Sequence, residues 1–224
     1  MSIRHLVVTG HDTEPRVTDV VGRLLGYEAG VLALIDRDAQ LTLVDEAAII
    51  ASRVVPPHPR LAAEPTDLGT ADRPLPRDAA RVLLLDGDER VLLVAHRASA
   101  DRTVWTAPGG GVRRGEDHRA AAARELTEEL GLDAPIGPWV WQREVTFVHA
   151  GVHLMQRERW FLTRVERWDP TLAPLDDPGL FDARWWTLAE LASTRETIAP
   201  SSLGEHLAVL LRDGPSGSPV DVGR

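Results

Sequence analysis

Apolar positions along the chain follow two periods, and the switches between them mark its elements. From Arg81 to His96 the runs "RVLLLD" and "RVLLVAH" flank the turn-forming "GDE" around Gly87, which predicts a β-hairpin. A loop from Arg97 to Gly111 follows and ends in Pro108-Gly109-Gly110-Gly111. The Ala-rich segment Asp117 to Leu130 then has acidic residues at its start and Gly131 just past its end, as helix termini prefer. Trp139 to His149 and His153 to Val165 are rich in Val, Trp, Phe and Thr and predict strands, with Arg184 to Trp186 a short third. Thr187 with Glu190, and Ser202 with Glu205, have capping-box spacing, the second opening an amphipathic helix to about Arg212. The Gly, Pro and Ser content of residues 213–224 predicts a disordered tail.

Upstream, the pattern predicts a helix near Pro15 to Leu25 and a hairpin in "GVLALIDRDAQLTLVD". The Pro-containing stretch Pro56 to Pro76 predicts a boundary. Residues 1–70 then form a small α+β region, a structural, dimer-forming or substrate-shaping appendage, and residues 77–212 the main domain.

Composition narrows the chemistry. With Lys+Arg 25 against Asp+Glu 34 and a formal net charge of −9, the chain disfavours nonspecific binding to nucleic acid or an anionic membrane. It has no cysteine, which removes disulfides, thiolate nucleophiles and Cys-based zinc sites. No uncharged apolar run reaches membrane-spanning length, and the first residues lack a signal-type apolar stretch, so the sequence reads as a soluble cytoplasmic protein.

The candidate chemistry sits on the Asp117 to Leu130 helix. Glu125, Glu128 and Glu129 stand at i, i+3 and i+4 and share one face, while Ala123, Leu126 and Leu130 centre on the other. Three clustered like charges repel, and a hard divalent cation offsets them. Mg²⁺ takes oxygen ligands and binds through one or two carboxylates plus substrate phosphates. The preceding glycines let backbone N–H groups approach an anion.

Gly110, five residues, Glu116, seven residues, Arg124-Glu125-Leu126, Thr127, Glu128-Glu129, Leu130, Gly131-Leu132 resembles the Nudix box at every defining position. Trp105, Pro108-Gly109 and the later "RWWTLAEL" extend the resemblance over about Arg77 to Arg212. It implies an α/β Nudix fold: an α/β/α sandwich around a mixed β-sheet, here with the additional N-terminal α+β region. It further implies hydrolysis of the diphosphate bond in a nucleoside diphosphate derivative, such as a nucleotide sugar, ADP-ribose, a dinucleotide or a modified nucleoside triphosphate. Glu125, Glu128 and Glu129 match the metal ligands, for Mg²⁺ or Mn²⁺, and Arg124 the residue that orients them. Gly109, Gly110, Gly111 and Arg113 stand where substrate phosphates would meet the chain. The general base is a box glutamate or a carboxylate elsewhere, with Glu158, then Glu144, as candidates. The implied partner is a small-molecule nucleoside diphosphate derivative, not nucleic acid or membrane, and the family leaves room for a homodimer.

Blander readings compete at several positions. Glu116 is a ligand or a favourable charge at the helix start. His149 and His153 have helical metal-pair spacing, but Ala150-Gly151 between strands argues for a turn. Trp105, Phe147 and Trp160 could stack on a base but fit a core better. A nucleotide-sensing module without turnover is the alternative function, against which all four box glutamates are retained. Isoprenoid diphosphate isomerisation, also found on this fold, leans on a cysteine that this chain lacks.

Overall fold

A computed structural model describes residues 1–7, 16–36, 40–56, 68–99, 102–166, 168–169 and 180–223. The chain divides into two compact units, residues 1–77 with 146–156, and residues 78–145 with 157–224.

The first unit contains a five-stranded antiparallel sheet of β1 (Ser2–Val7), β2 (Arg16–Glu28), β3 (Val31–Asp36), β4 (Leu41–Asp45) and β5 (Ile49–Arg53), in the order β4-β3-β2-β1-β5. The helix expected near Pro15 to Leu25 is β2 instead, and the only helical turn among the unit's described residues is the 3₁₀ piece Glu46–Ala48. Val17, Thr18, Val20 and Val21 are β-branched and pair across β1, and Gly22 and Gly26 weaken any helix there. The hairpin expected in "GVLALIDRDAQLTLVD" is β3 with β4, residues 37–39 of its connection lying outside the described residues. Ala33, Ile35, Leu75, Ala150, Val152 and Leu154 form the unit's larger buried cluster. His149 and His153 flank a two-residue turn with positive φ at Ala150 (48°) and Gly151 (74°), so no helical metal pair exists.

The second unit is built on a nine-stranded sheet, of whose strands residues 75–77, 146–149 and 152–156 belong to the first unit. Its strands are β6 (Leu75–Leu85), β7 (Val91–Ser99), β8 (Arg102–Thr106), β9 (Gly109–Gly111), β10 (Trp139–His149), β11 (Val152–Arg164), β12 (Leu180–Trp186), β13 (Ile198–Ala199) and β14 (Val220–Asp221). The path is β13-β8-β7-β6-β11-β10-β14, with β12 on β7 and β9 on β6. Antiparallel pairs predominate, and the short pairs β13·β8 and β10·β14 are parallel, so the sheet is mixed.

Both faces of this sheet are covered, which is why its central strands read as continuous apolar runs rather than alternations. Leu83, Leu85, Val91, Leu93, Trp160 and Leu162 point to one side, where they meet Leu203, Leu207 and Leu210 of the helix α3 (Leu203–Asp213). Val82, Leu84, Leu92, Val94 and Phe161 point to the other, against Ala121, Ala122, Leu126 and Leu130 of α1 (His118–Leu130). Trp105 and Trp160 are core residues, at 6% and 0% exposure. A short helix α2 (Leu188–Ser193) opens on the Thr187–Glu190 capping box, with both reciprocal bonds made.

Three local expectations fail for identifiable reasons. The stretch read as a loop from Arg97 to Gly111 contains β8 and β9, short strands whose polar and glycine residues hide the pattern. Ser202 makes no cap to α3, because its hydroxyl donates to the Val222 carbonyl at 2.6 Å. The tail expected to be disordered returns through its described residues to 223: β14 lies beside Trp141 and Gln142, and Val222 is 1% exposed in the core. One valine in a Gly/Pro/Ser-rich stretch carries no periodicity, so composition alone missed it.

Deleting residues 218–224 should therefore cost about 1.5–3 kcal/mol, the value of one fully buried valine, read as a lower midpoint in denaturant unfolding. A disordered tail would leave the midpoint unchanged.

Candidate active site

α1 is positioned at both ends. The Asp117 carboxylate accepts from Ala120 N at 2.8 Å, and the Gly131 and Leu132 amides donate back to Thr127 and Leu126 carbonyls. Leu126 and Leu130 anchor it to the sheet, at 0% and 2% exposure. Ala123 is only half-buried; Ala121 and Ala122 take the buried positions instead.

Its charged face is organised by one guanidinium. Arg124 Nε and Nη2 donate to the two Glu116 oxygens at 2.8 and 2.9 Å. Nη1 donates to Glu125 Oε1 at 2.7 Å and to Glu128 Oε2 at 2.8 Å, and Nη2 also donates to the Gly111 carbonyl at 2.9 Å. Glu125 and Glu128 thus meet at a single nitrogen. Arg113, on the exposed side, grips Glu128 through both its terminal nitrogens at 3.1 Å. Burial works against the charge on Arg124, yet its bond to Glu116 and the field of Glu125 hold it above the usual guanidinium range. The bond to Arg124 lowers the Glu116 carboxyl. Burial pushes the Glu125 carboxyl up, in spite of Arg124 beside it.

Glu129 departs from the wheel's prediction of an acidic front. It is 5% exposed and accepts from the Gly109 amide at 3.0 Å. The glycines make this approach possible. Gly109 pairs with Arg81 across β9·β6 at φ 137°, where an added Cβ would come within 2.9 Å of Arg81 Cα. At Gly110 an added Cβ would meet the Glu125 carboxyl carbon at 2.7 Å. Gly109, Gly110 and Gly111 therefore contact Glu129, Glu125 and Arg124 in turn, and the structure joins these sequence-picked residues in one place.

Glu158 is not among them. It lies on β11 at 3% exposure, accepts from Arg81 Nε at 3.3 Å and Trp160 Nε1 at 3.0 Å, and stands 3.6 Å from Arg143. Its link to the box is indirect: Arg81 Nη1 donates to the Gly109 carbonyl at 2.7 Å, whose own amide bonds Glu129. Glu144 is exposed on β10. Sequence reading missed Arg81 and Arg143. The available signal was phase: Arg81 has the parity of Leu83 and Leu85, and Arg143 that of Trp141, so both place a cation on a core-facing position.

Among the described residues, no group of three or more His, Asp or Glu is arranged to hold a metal ion. The donor set nonetheless fits a hard divalent cation. Three carboxylates (Glu116, Glu125 and Glu128) share two guanidinium groups, Arg124 and Arg113, while Glu129 accepts from a backbone amide, so the carboxylates outnumber the cations that hold them. Oxygen-only donors at a partly buried site are what such a cation takes, with phosphate oxygens completing its shell.

A family model described as the NUDIX domain matches residues 75–206. An RNA pyrophosphohydrolase of Roseobacter denitrificans is 32% identical over 146 residues, covering 60% of this chain and 89% of that protein. A CTP pyrophosphohydrolase of Escherichia coli is 39% identical over 66 residues, covering 28% of this chain and 49% of that one. Among solved structures, a MutT protein from Methanosarcina mazei Go1 superposes with a TM-score of 0.50 at 19% identity, over 66% of this chain and 100% of that one, a likeness of fold.

Because the Glu116 carboxyl lies below its ordinary value in the folded chain, its contribution to stability is present at neutral pH and fades as pH falls through that lowered value. Thermal unfolding should show a deficit for Glu116→Gln that is largest near neutrality and narrows below about pH 4; a deficit independent of pH would contradict the ion pair's role.

Proposed function

The chain belongs to the Nudix family and hydrolyses pyrophosphate bonds with a divalent metal, and on that premise we propose that it cleaves a small nucleoside diphosphate derivative with Mg²⁺ held by Glu125, Glu128 and Glu129. One observation carries this reading: about one helical turn brings three carboxylates beside a glycine strand whose amide and carbonyls are fixed by Glu129, Arg124 and Arg81. The relatives' names, RNA and CTP pyrophosphohydrolase, support a nucleotide as one part of the substrate. The net charge of −9 without a long basic block favours a small molecule over a nucleic acid chain.

When bound, the cation supplies charge neutralisation at the phosphate oxygens under attack. The remaining work belongs to the chain. Arg124 holds Glu125 and Glu128 at fixed separation, so that a ligand shell forms without reordering three flexible side chains. Arg113, the more exposed of the two arginines, exchanges its grip on Glu128 for a substrate phosphate. Gly109 to Gly111 let the phosphates approach backbone. Glu158 serves as a positioning residue: a carboxylate already engaged by Arg81, Arg143 and Trp160 has little capacity left to take a proton from water. The proton from the attacking water goes to a box glutamate, of which Glu128 is the more open, with 29% of its side chain exposed against 14% for Glu125. Its Oε1 is released when Arg113 turns to the phosphate, Arg124 holding only Oε2.

Glu128→Gln should lower kcat at least about a hundredfold while circular dichroism and melting stay near wild type, the usual consequence of losing a metal ligand or its partner. The substrate panel should pair nucleotide sugars, ADP-ribose, dinucleotides and nucleoside triphosphates with a 5′-triphosphate RNA oligomer. Faster turnover of the oligomer than of every small molecule would overturn the substrate class, and near-normal turnover by Glu128→Gln would overturn the metal assignment.

A further inference from the structure

Behind the glycine strand lies a cluster of charge that the box does not use. Arg81 and Arg143 have 13% and 9% of their side chains exposed, and between them stands Glu158 at 2%. Two cations against one anion leave an excess positive charge in the interior, where an ion without a counter-charge is expensive to bury. At Arg143, burial opposes the charge most; Glu158 favours the guanidinium and Arg81 opposes it.

Arg143 is also poor in hydrogen bonds. Among the described residues its one polar partner is Glu158, at an ion-pair distance of 3.6 Å rather than in a hydrogen bond, and its Nε is buried without an acceptor. Arg81 is well used on one side, with Nε on Glu158 and Nη1 on the carbonyls of Ala107 and Gly109. Its Nη2 is not engaged by any of these bonds. A buried guanidinium is normally held by most of its five donors. Here Arg143 Nε is buried with no acceptor in the protein, and the bonds of Arg81 occupy only its Nε and Nη1.

We propose that Arg143, backed by Arg81, is a substrate-binding arginine that receives a phosphate group of the substrate, with Glu158 holding the two guanidinium groups in place. A phosphate supplies the missing negative charge and the missing acceptors together, and its geometry suits a planar guanidinium fork. The same Arg81 binds the Gly109 carbonyl, and the Gly109 amide binds Glu129, so the proposed phosphate seat and the box are tied through one residue. The inference rests on the diphosphate reading above.

The test is calorimetric titration of the full chain with inorganic pyrophosphate in EDTA, which measures anion binding without metal or turnover. Wild type should bind; Arg143→Met should weaken binding at least about tenfold, the scale of one lost charged contact, and Arg143→Lys should fall between. The melting temperature of unligated Arg143→Met should equal or exceed that of wild type, because an uncompensated buried charge is gone, and its KM for turned-over substrates should rise more than its kcat falls. If Arg143→Met fails to fold, the role assigned to Arg143 is structural and the inference is overturned, unless Arg143→Lys folds and shows the predicted loss of affinity. Absence of pyrophosphate binding in wild type, or equal affinity in folded variant and wild type, also overturns it. A panel of diphosphates that gives no turnover while Arg143→Met loses pyrophosphate binding would sink the proposed substrate class and leave the anion seat standing.

Discussion

One guanidinium carries the organisation of the site. Arg124 sits among Glu116, Glu125 and Glu128 and donates as well to the Gly111 carbonyl. Without it, the three partly buried carboxylates would repel one another, and removing the shared cation from such a cluster typically costs about 3–5 kcal/mol. With it, Glu125 and Glu128 converge on a single nitrogen, and the loop before the helix is drawn to the helix itself. Ligand geometry and fold are therefore maintained by the same bonds.

Gly109 performs the matching task between the two sides of the sheet. Its amide donates to Glu129, on the helix that covers one face. Its carbonyl accepts from Arg81, whose neighbours Leu83 and Leu85 line the other. A side chain at this position would collide with β6, so the crossing depends on glycine. Glu129 on one layer and Arg81 on the other are thus held by a single residue of the glycine strand.

The sequence made the helix and its chemistry legible because several independent signals agreed there: alanine propensity, an Asp cap, a closing glycine and carboxylates at helical spacing. The hairpin at Arg81 to His96 and the strands after the helix were legible for the same reason. Glu129 is more buried than the wheel implies, because the wheel shows only angular position and not the β9 strand whose Gly109 amide donates to its carboxylate. β2 was read as a helix because its apolar spacing fits both periods, and pairing with β1 decided the matter. Glu158 drew attention as an acid on a strand, but its partners Arg81 and Arg143 lie 77 and 15 positions away in the chain, and only folding brings them together. The tail's return to the core rested on a single valine, below what any period can reveal.

The central claim is that Glu125, Glu128 and Glu129 form a divalent-cation site from carboxylates that Arg124 and Arg113 only partly neutralise. Titration with Mn²⁺ followed by electron paramagnetic resonance measures that site without substrate. Wild type should bind the ion, and the double variant Glu125→Gln/Glu129→Gln, checked for an unchanged fold, should weaken binding at least about tenfold. Equal Mn²⁺ affinity in the two proteins would contradict the account.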